Sequence, residues 1–176
     1  MRIWISTAIV SGFLLAAPVA QAAKLENAGK AAAAMNIEKM SFVKTVESSN
    51  AFEIESSRIA EKKASAGDVK EFARQMVADH TKAGEALKKA AKLSGDAKPE
   101  LAPKHAAMLK LLDAASGDEF QALYIDMQTV AHMEAVTLFA TYAKGGDDEA
   151  VKSFAEKTLP TLEMHKSHVM KLVAAH

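Results

Sequence analysis

The sequence predicts an all-α fold: four long helices in two antiparallel hairpins, with a long crossover between the hairpins that carries a short fifth helix. Three observations predict it. Gly and Pro are scarce, at 8 and 4 of 176 residues, and Ala is abundant, a bias toward long helices rather than turn-rich strands. Apolar residues recur at helical spacing in four long segments. Those segments pair about short turns, whereas the stretch from Gly95 to Gly117 is long and broken by Pro99 and Pro103.

The N-terminus stands apart from the fold. MRIWISTAIVSGFLLAAPVAQAAK has Arg2, an apolar run from Ile3 to Ala17, and small residues at Ala20 and Ala22. This is the layout of a secretory signal peptide over residues 1–22, with cleavage expected after Ala22. The alternative is an uncleaved anchor, for which the run is short. Export to the periplasm or outside the cell follows, with no further membrane span expected in the mature chain. Residues 23–40 are Ala-rich without a clear stripe and read as a tether. The bundle is expected over residues 41–174.

The helices are expected as follows. The first, α1, runs from about Ser41, as N-cap, to Ala64. The turn ASAG follows. The second, α2, starts at Asp68, where Asp68 and Glu71 have capping-box spacing, and runs to about Leu93. The short α3 runs from about Pro103, suited to a first turn, to Ala115. SGD opens α4, which ends near Lys144. After GGDD, α5 runs from about Asp148 to Val173. Pro160 lies inside α5 and is expected to bend it around the core. VKEFA at Val69 and VKSFA at Val151 repeat after a turn in each half, so the chain reads as two copies of one hairpin. Two hairpins with one long crossover have the topology of ferritin-like bundles.

Composition excludes several functions. Lys+Arg and Asp+Glu balance at 22 each, so there is no basic footprint for nucleic acid. Cysteine is absent, which removes disulfides and thiolate metal sites. No phosphate loop or supported catalytic triad occurs. Met76, Met127, Met133, Met164 and Met170 have the spacing of core filler, and a haem Met/His pair is the weaker alternative.

Helical wheels bring polar residues onto apolar faces. Glu53 falls in the α1 stripe beside Asn50 and Ser57, and His80 falls in the α2 stripe with Asp79 at its edge. Glu134 falls in the stripe assigned to α4, and His132 on a flanking face. His165 falls in the α5 stripe and His168 on its flank. A bare buried charge is costly, so these groups must meet one another, backbone, water or a cation. A single divalent metal held by Glu53, His80, Glu134 and His165, with His132 as a further candidate, is one solution. A standard di-iron centre is not, because it requires Glu-x-x-His on two helices. The residues three before His80, His132 and His165 are Val77, Thr129 and Leu162. The other solution is Glu–His hydrogen bonding that fixes the register of the bundle. His105, on the crossover, is expected to be exposed, as is a stripe with Phe52 and Ile59 that would suit a partner or a homo-oligomer.

FVKTVESSNAFEIESSRIAEKKASAGDVKEFARQMVADHTKA and YIDMQTVAHMEAVTLFATYAKGGDDEAVKSFAEKTLPTLEMHKSH resemble a bacterial family catalogued as domain of unknown function 4142. Its members are exported, are often labelled outer-membrane proteins, and are assigned a ferritin-like fold. The resemblance covers about Phe42 to His168. It implies that Glu53, Asp79, His80, His132, Pro160 and His165 match recurrent positions, and it implies no established activity or cofactor. Asp-His is frequent at the α4 position in the family, where this chain has Ala131-His132. The expected function is accordingly non-catalytic: structural, stress-related or binding. The alternative is a metal-binding protein or metal-dependent oxidoreductase using the interior Glu/His set.

Overall fold

The computed structural model describes residues 37–94 and 98–176. The expected signal peptide, and the expected tether up to residue 36, lie outside the described residues. Five α-helices occur among the described residues: α1 Lys39–Lys63, α2 Gly67–Ala91, α3 Pro103–Ala114, α4 Gly117–Gly145 and α5 Glu149–Ala175. There is no strand among the described residues. None of their helices is long and apolar enough to cross a membrane.

Turn chemistry sets the boundaries, in part differently from the expectation. The first helix starts two residues before Ser41, with Glu38 at the N-cap and no side-chain cap. The capping box at Asp68 does not form: α2 is capped at Ala66, and the helix N–H that Asp68 Oδ1 accepts from is that of the adjacent Val69. Asp148, by contrast, caps α5 through Val151 N–H at 3.0 Å and pairs with Lys39 at 2.8 Å. Pro103 takes the first turn of α3, where its missing N–H costs nothing. Pro160 lies inside α5 on its exposed side, so the Glu156 carbonyl left without a helical donor is close to solvent.

Within each hairpin the long helices pack closely, α1 on α2 and α4 on α5. The hairpins meet through α1 against α4 and α2 against α5. Both of these pairs are antiparallel. Ser57 meets Tyr124 while Phe42 stacks on Tyr142, and Asp79 meets His165 while Asp68 meets His176.

The crossover is fastened to α1. Ser48 Oγ accepts from Ala102 N–H at 2.8 Å and lies 2.7 Å from His105 Nδ1, to which its hydroxyl can donate. The His105 ring stacks on Phe52 at 5.3 Å. Both are buried, which corrects two expectations: His105 is not exposed, and Phe52 is not part of an open partner stripe. A helical wheel for α1 alone cannot register that α3 covers a further face. The methionines also divide. Met76 and Met127 are core, but Met133, Met164 and Met170 are exposed.

Apolar side chains form two clusters. One holds Phe52, Phe72, Met76, Phe120, Tyr124 and Val169 with their neighbours. The other holds Phe42, Val46, Leu87, Phe139, Tyr142, Phe154 and Leu162. On α2, α4 and α5 the sequence passes from one cluster to the other across a buried histidine: His80, His132 and His165. On α1 the same interval, between Val46 and Phe52, contains Asn50, with Glu53 directly after it. A polar layer thus divides the core.

Candidate metal centre

Three helices supply the layer with imidazoles. His80 on α2, His132 on α4 and His165 on α5 are 6%, 1% and 1% exposed. Their ring centroids are mutually 5.4–5.7 Å apart. One potential ligand atom from each lies within 4.8 Å of the other two.

Each ring has one nitrogen engaged by an oxygen. Nδ1 of His80 lies 3.0 Å from Asn50 Oδ1, Nδ1 of His132 lies 2.9 Å from the Gln128 carbonyl, and Nε2 of His165 lies 3.1 Å from Asp79 Oδ2. These acceptors place the proton of a neutral imidazole on the engaged nitrogen, so the other nitrogen carries a lone pair. The other three nitrogens, His80 Nε2, His132 Nε2 and His165 Nδ1, have no protein partner. Burial keeps the rings neutral. It holds His80 well below the usual histidine value, with His132 and His165 adding to the effect. Burial also pushes His132 down to about 4 against the opposing Gln128 carbonyl, and lowers His165 against the opposing Asp79 carboxylate. His165 and Asp79 therefore form a hydrogen bond from a neutral ring to a carboxylate rather than an ion pair.

Glycine helps build this arrangement. Gly84 is mid-helix, where glycine costs about 1 kcal/mol relative to alanine. A Cβ there would come within 3.0 Å of Asn50 Nδ2. Its absence lets the Asn50 amide lie against α2, one turn beyond the His80 ring it orients.

Glu53 is 4% exposed, and its Oε2 has no partner. Burial raises its carboxyl to about 8, with the neighbouring Gln128 side chain pulling the other way. Glu53 lines a small cavity with His80 and His132, about 30 Å³ in volume. It is not among the residues whose ligand atoms converge. Gln128 is fully buried and donates to Ser56 Oγ at 3.1 Å. The five buried side-chain polar atoms lacking a partner among the described residues all belong to Glu53, His80, Gln128, His132 or His165. Each such atom costs about 1–3 kcal/mol when left unsatisfied, so their concentration in one layer points to something that binds there.

The structure thus brings together His80 and His165, promotes His132 from flank to centre, and sets Glu53 beside the group. Glu134 is elsewhere. Its side chain is 57% exposed and pairs with Lys104 at 2.6 Å. It follows His132 by two residues, about 200° around the helix, so both cannot face inward. The Glu–His pairs expected to fix register do not form either: the three histidines use Asn50, Gln128 and Asp79. Glu134→Ala is expected to change stability by less than about 0.5 kcal/mol in urea denaturation, as for an exposed ion pair, and to leave metal content unchanged.

The partners Asn50 and Gln128 were not predicted in that role. Asn50 carried a signal, since it falls beside Glu53 on the α1 stripe. Gln128 carried one too, one turn before His132.

The family described as Domain of unknown function (DUF4142) matches residues 24–172. The chain belongs to this family. Every residue of the DUF4142 polar layer, from Asn50 to His165, lies within the match. No curated protein and no solved structure matches the chain.

Proposed function

We propose that this DUF4142 chain is an exported metal-binding protein, a ferritin-like four-helix bundle holding one divalent first-row ion on His80, His132 and His165. One observation carries the proposal: three buried neutral imidazoles, each with one unpartnered nitrogen, bring a potential ligand atom apiece within 4.8 Å of one another. A single water has only two protons to donate and leaves one of three lone pairs unmet, whereas a cation accepts all three. In a tetrahedral site with bonds of 2.0–2.1 Å the nitrogens are about 3.4 Å apart, a closing of roughly 1.4 Å at most from the observed spacing. Asn50, the Gln128 carbonyl and Asp79 are the outer partners that metal-bound histidines use to fix tautomer and raise basicity. Imidazole donors suit Zn²⁺, Cu²⁺, Ni²⁺ and Fe²⁺. The up-down-down-up order of the long helices, with α3 in the crossover, supports the ferritin-like assignment, although the Glu-x-x-His pattern of its di-iron members is absent. Residues 1–22 support export.

Metal content tests the proposal. Protein purified without a His tag, given Zn²⁺ and desalted, is expected to retain one ion per chain. At free Zn²⁺ 100-fold above Kd the fold gains about 2.7 kcal/mol, and chelator is expected to lower the melting temperature by roughly 5–10 °C. Metal-free protein whose melt ignores both Zn²⁺ and chelator would leave the layer a purely structural device, a reading favoured by the hydrogen bond each histidine already makes.

A further inference from the structure

We infer that the bound ion keeps one coordination position for an exchangeable external ligand of no more than about two heavy atoms, lodged in the cavity beside His80 and His132. The inference rests on the metal reading above and adds the class of ligand the site accepts.

Three protein nitrogens leave a four-coordinate ion one ligand short. No Asp or Glu among the described residues joins the converging group, so no described carboxylate supplies the fourth ligand. The cavity adjoins two of the three histidines and has a volume of about 30 Å³. A water needs about 10–15 Å³ of such space, so the cavity takes roughly two small heavy atoms. Its wall is mostly apolar, with Ala135, Phe139, Phe154 and Leu162 among the lining residues. Ser49, Asn50 and Thr158 also line it, so the small volume rather than the wall is what excludes a larger ligand. Glu53 supplies the polar counterpart, with its buried Oε2 unpartnered on the same wall. Water or hydroxide on the ion would have the metal on one side and Glu53 on the other, and a diatomic ligand would fit with small side-chain shifts. An organic substrate would not. The site therefore handles small inorganic ligands.

The test uses Co²⁺ in the full mature chain, with its visible ligand-field bands as readout. Cyanide, with two heavy atoms, is expected to shift the bands with 1:1 saturation. Imidazole, with five, is expected to leave them unchanged at 100-fold higher concentration. Ala135→Val, which intrudes on the cavity one turn from His132, is expected to bind Co²⁺ within about threefold of the parent and to lose cyanide affinity at least tenfold. Ala83→Val makes the same test from α2 should the first variant fold poorly. Bands indifferent to cyanide, or equally shifted by imidazole, overturn the small-ligand site while the metal reading stands. Failure to bind one Co²⁺ overturns both.

Discussion

His132→Ala is expected to abolish stoichiometric Zn²⁺ retention and with it the zinc-dependent rise in melting temperature. Its ring is 1% exposed and lies within 6 Å, centroid to centroid, of both other histidines, so no surface residue can replace it. The same variant separates the two accounts of the polar layer. Under either account the cavity left by the ring lowers the stability of the chelated variant. Only if the ring serves a metal does the parent show a zinc-dependent gain that the variant lacks; if the ring only sets register, neither protein responds to zinc. Asp79→Asn gives the graded counterpart. It keeps the shape of the group that accepts the His165 hydrogen bond but removes the charge, and is expected to weaken Zn²⁺ binding about 10–100-fold. Competition with a chromophoric chelator would measure both. Unchanged zinc affinity in His132→Ala would remove the site.

The second large effect is a stability maximum near pH 6.5 in chelated protein. Glu53 is raised from 4.5 to about 8 by burial. Between those values the folded state holds a proton that the unfolded state has released, so stability falls as pH rises through that window and stops falling above about 8. From pH 6.5 to 8 the loss is roughly 2 kcal/mol. Histidine acts from the other side. His80, His105, His132 and His165 are all lowered from 6.5, chiefly by burial. Below 6.5 the unfolded chain gains protons that the folded chain resists, so stability is lost as pH falls toward the depressed values. Between 4.5 and 6.5 several histidines oppose one carboxyl and prevail. Urea denaturation across pH 5–9 would show the maximum, and Glu53→Gln should flatten the alkaline limb alone. An alkaline limb that persists in Glu53→Gln would show that another group causes it.

The sequence made the helices legible because their ends carry distinct chemistry: Pro103, the Gly/Asp turns and Asp148. His80 and His165 were legible because α2 and α5 each have one dominant stripe. The fourth helix has two. Its buried face runs through Tyr124, Gln128 and His132 as well as Phe120, Phe139 and Tyr142. A wheel weighted by apolarity turns away from those polar residues toward Leu123, Ala131 and Leu138, and carries Glu134 inward with them. Burial under α3 was likewise invisible for Phe52 and His105, since it depends on where a crossover lies. The outer partners depend on register between helices: Asn50 reaches His80 from the other helix of its hairpin, and Asp79 reaches His165 from the other half of the molecule.

The three histidines belong to three helices and to both hairpins. An ion joining them would close the chain on itself from residue 80 to residue 165, through the whole crossover. In a protein without cysteine, that closure stands where a disulfide would, but as a cross-link of the folded chain alone, since the unfolded chain holds no preformed site. Unlike a disulfide, it can be withdrawn by a chelator or by acid. Metal supply would then govern how independently the two halves open, and native-state hydrogen exchange would show them as one cooperative unit or as two.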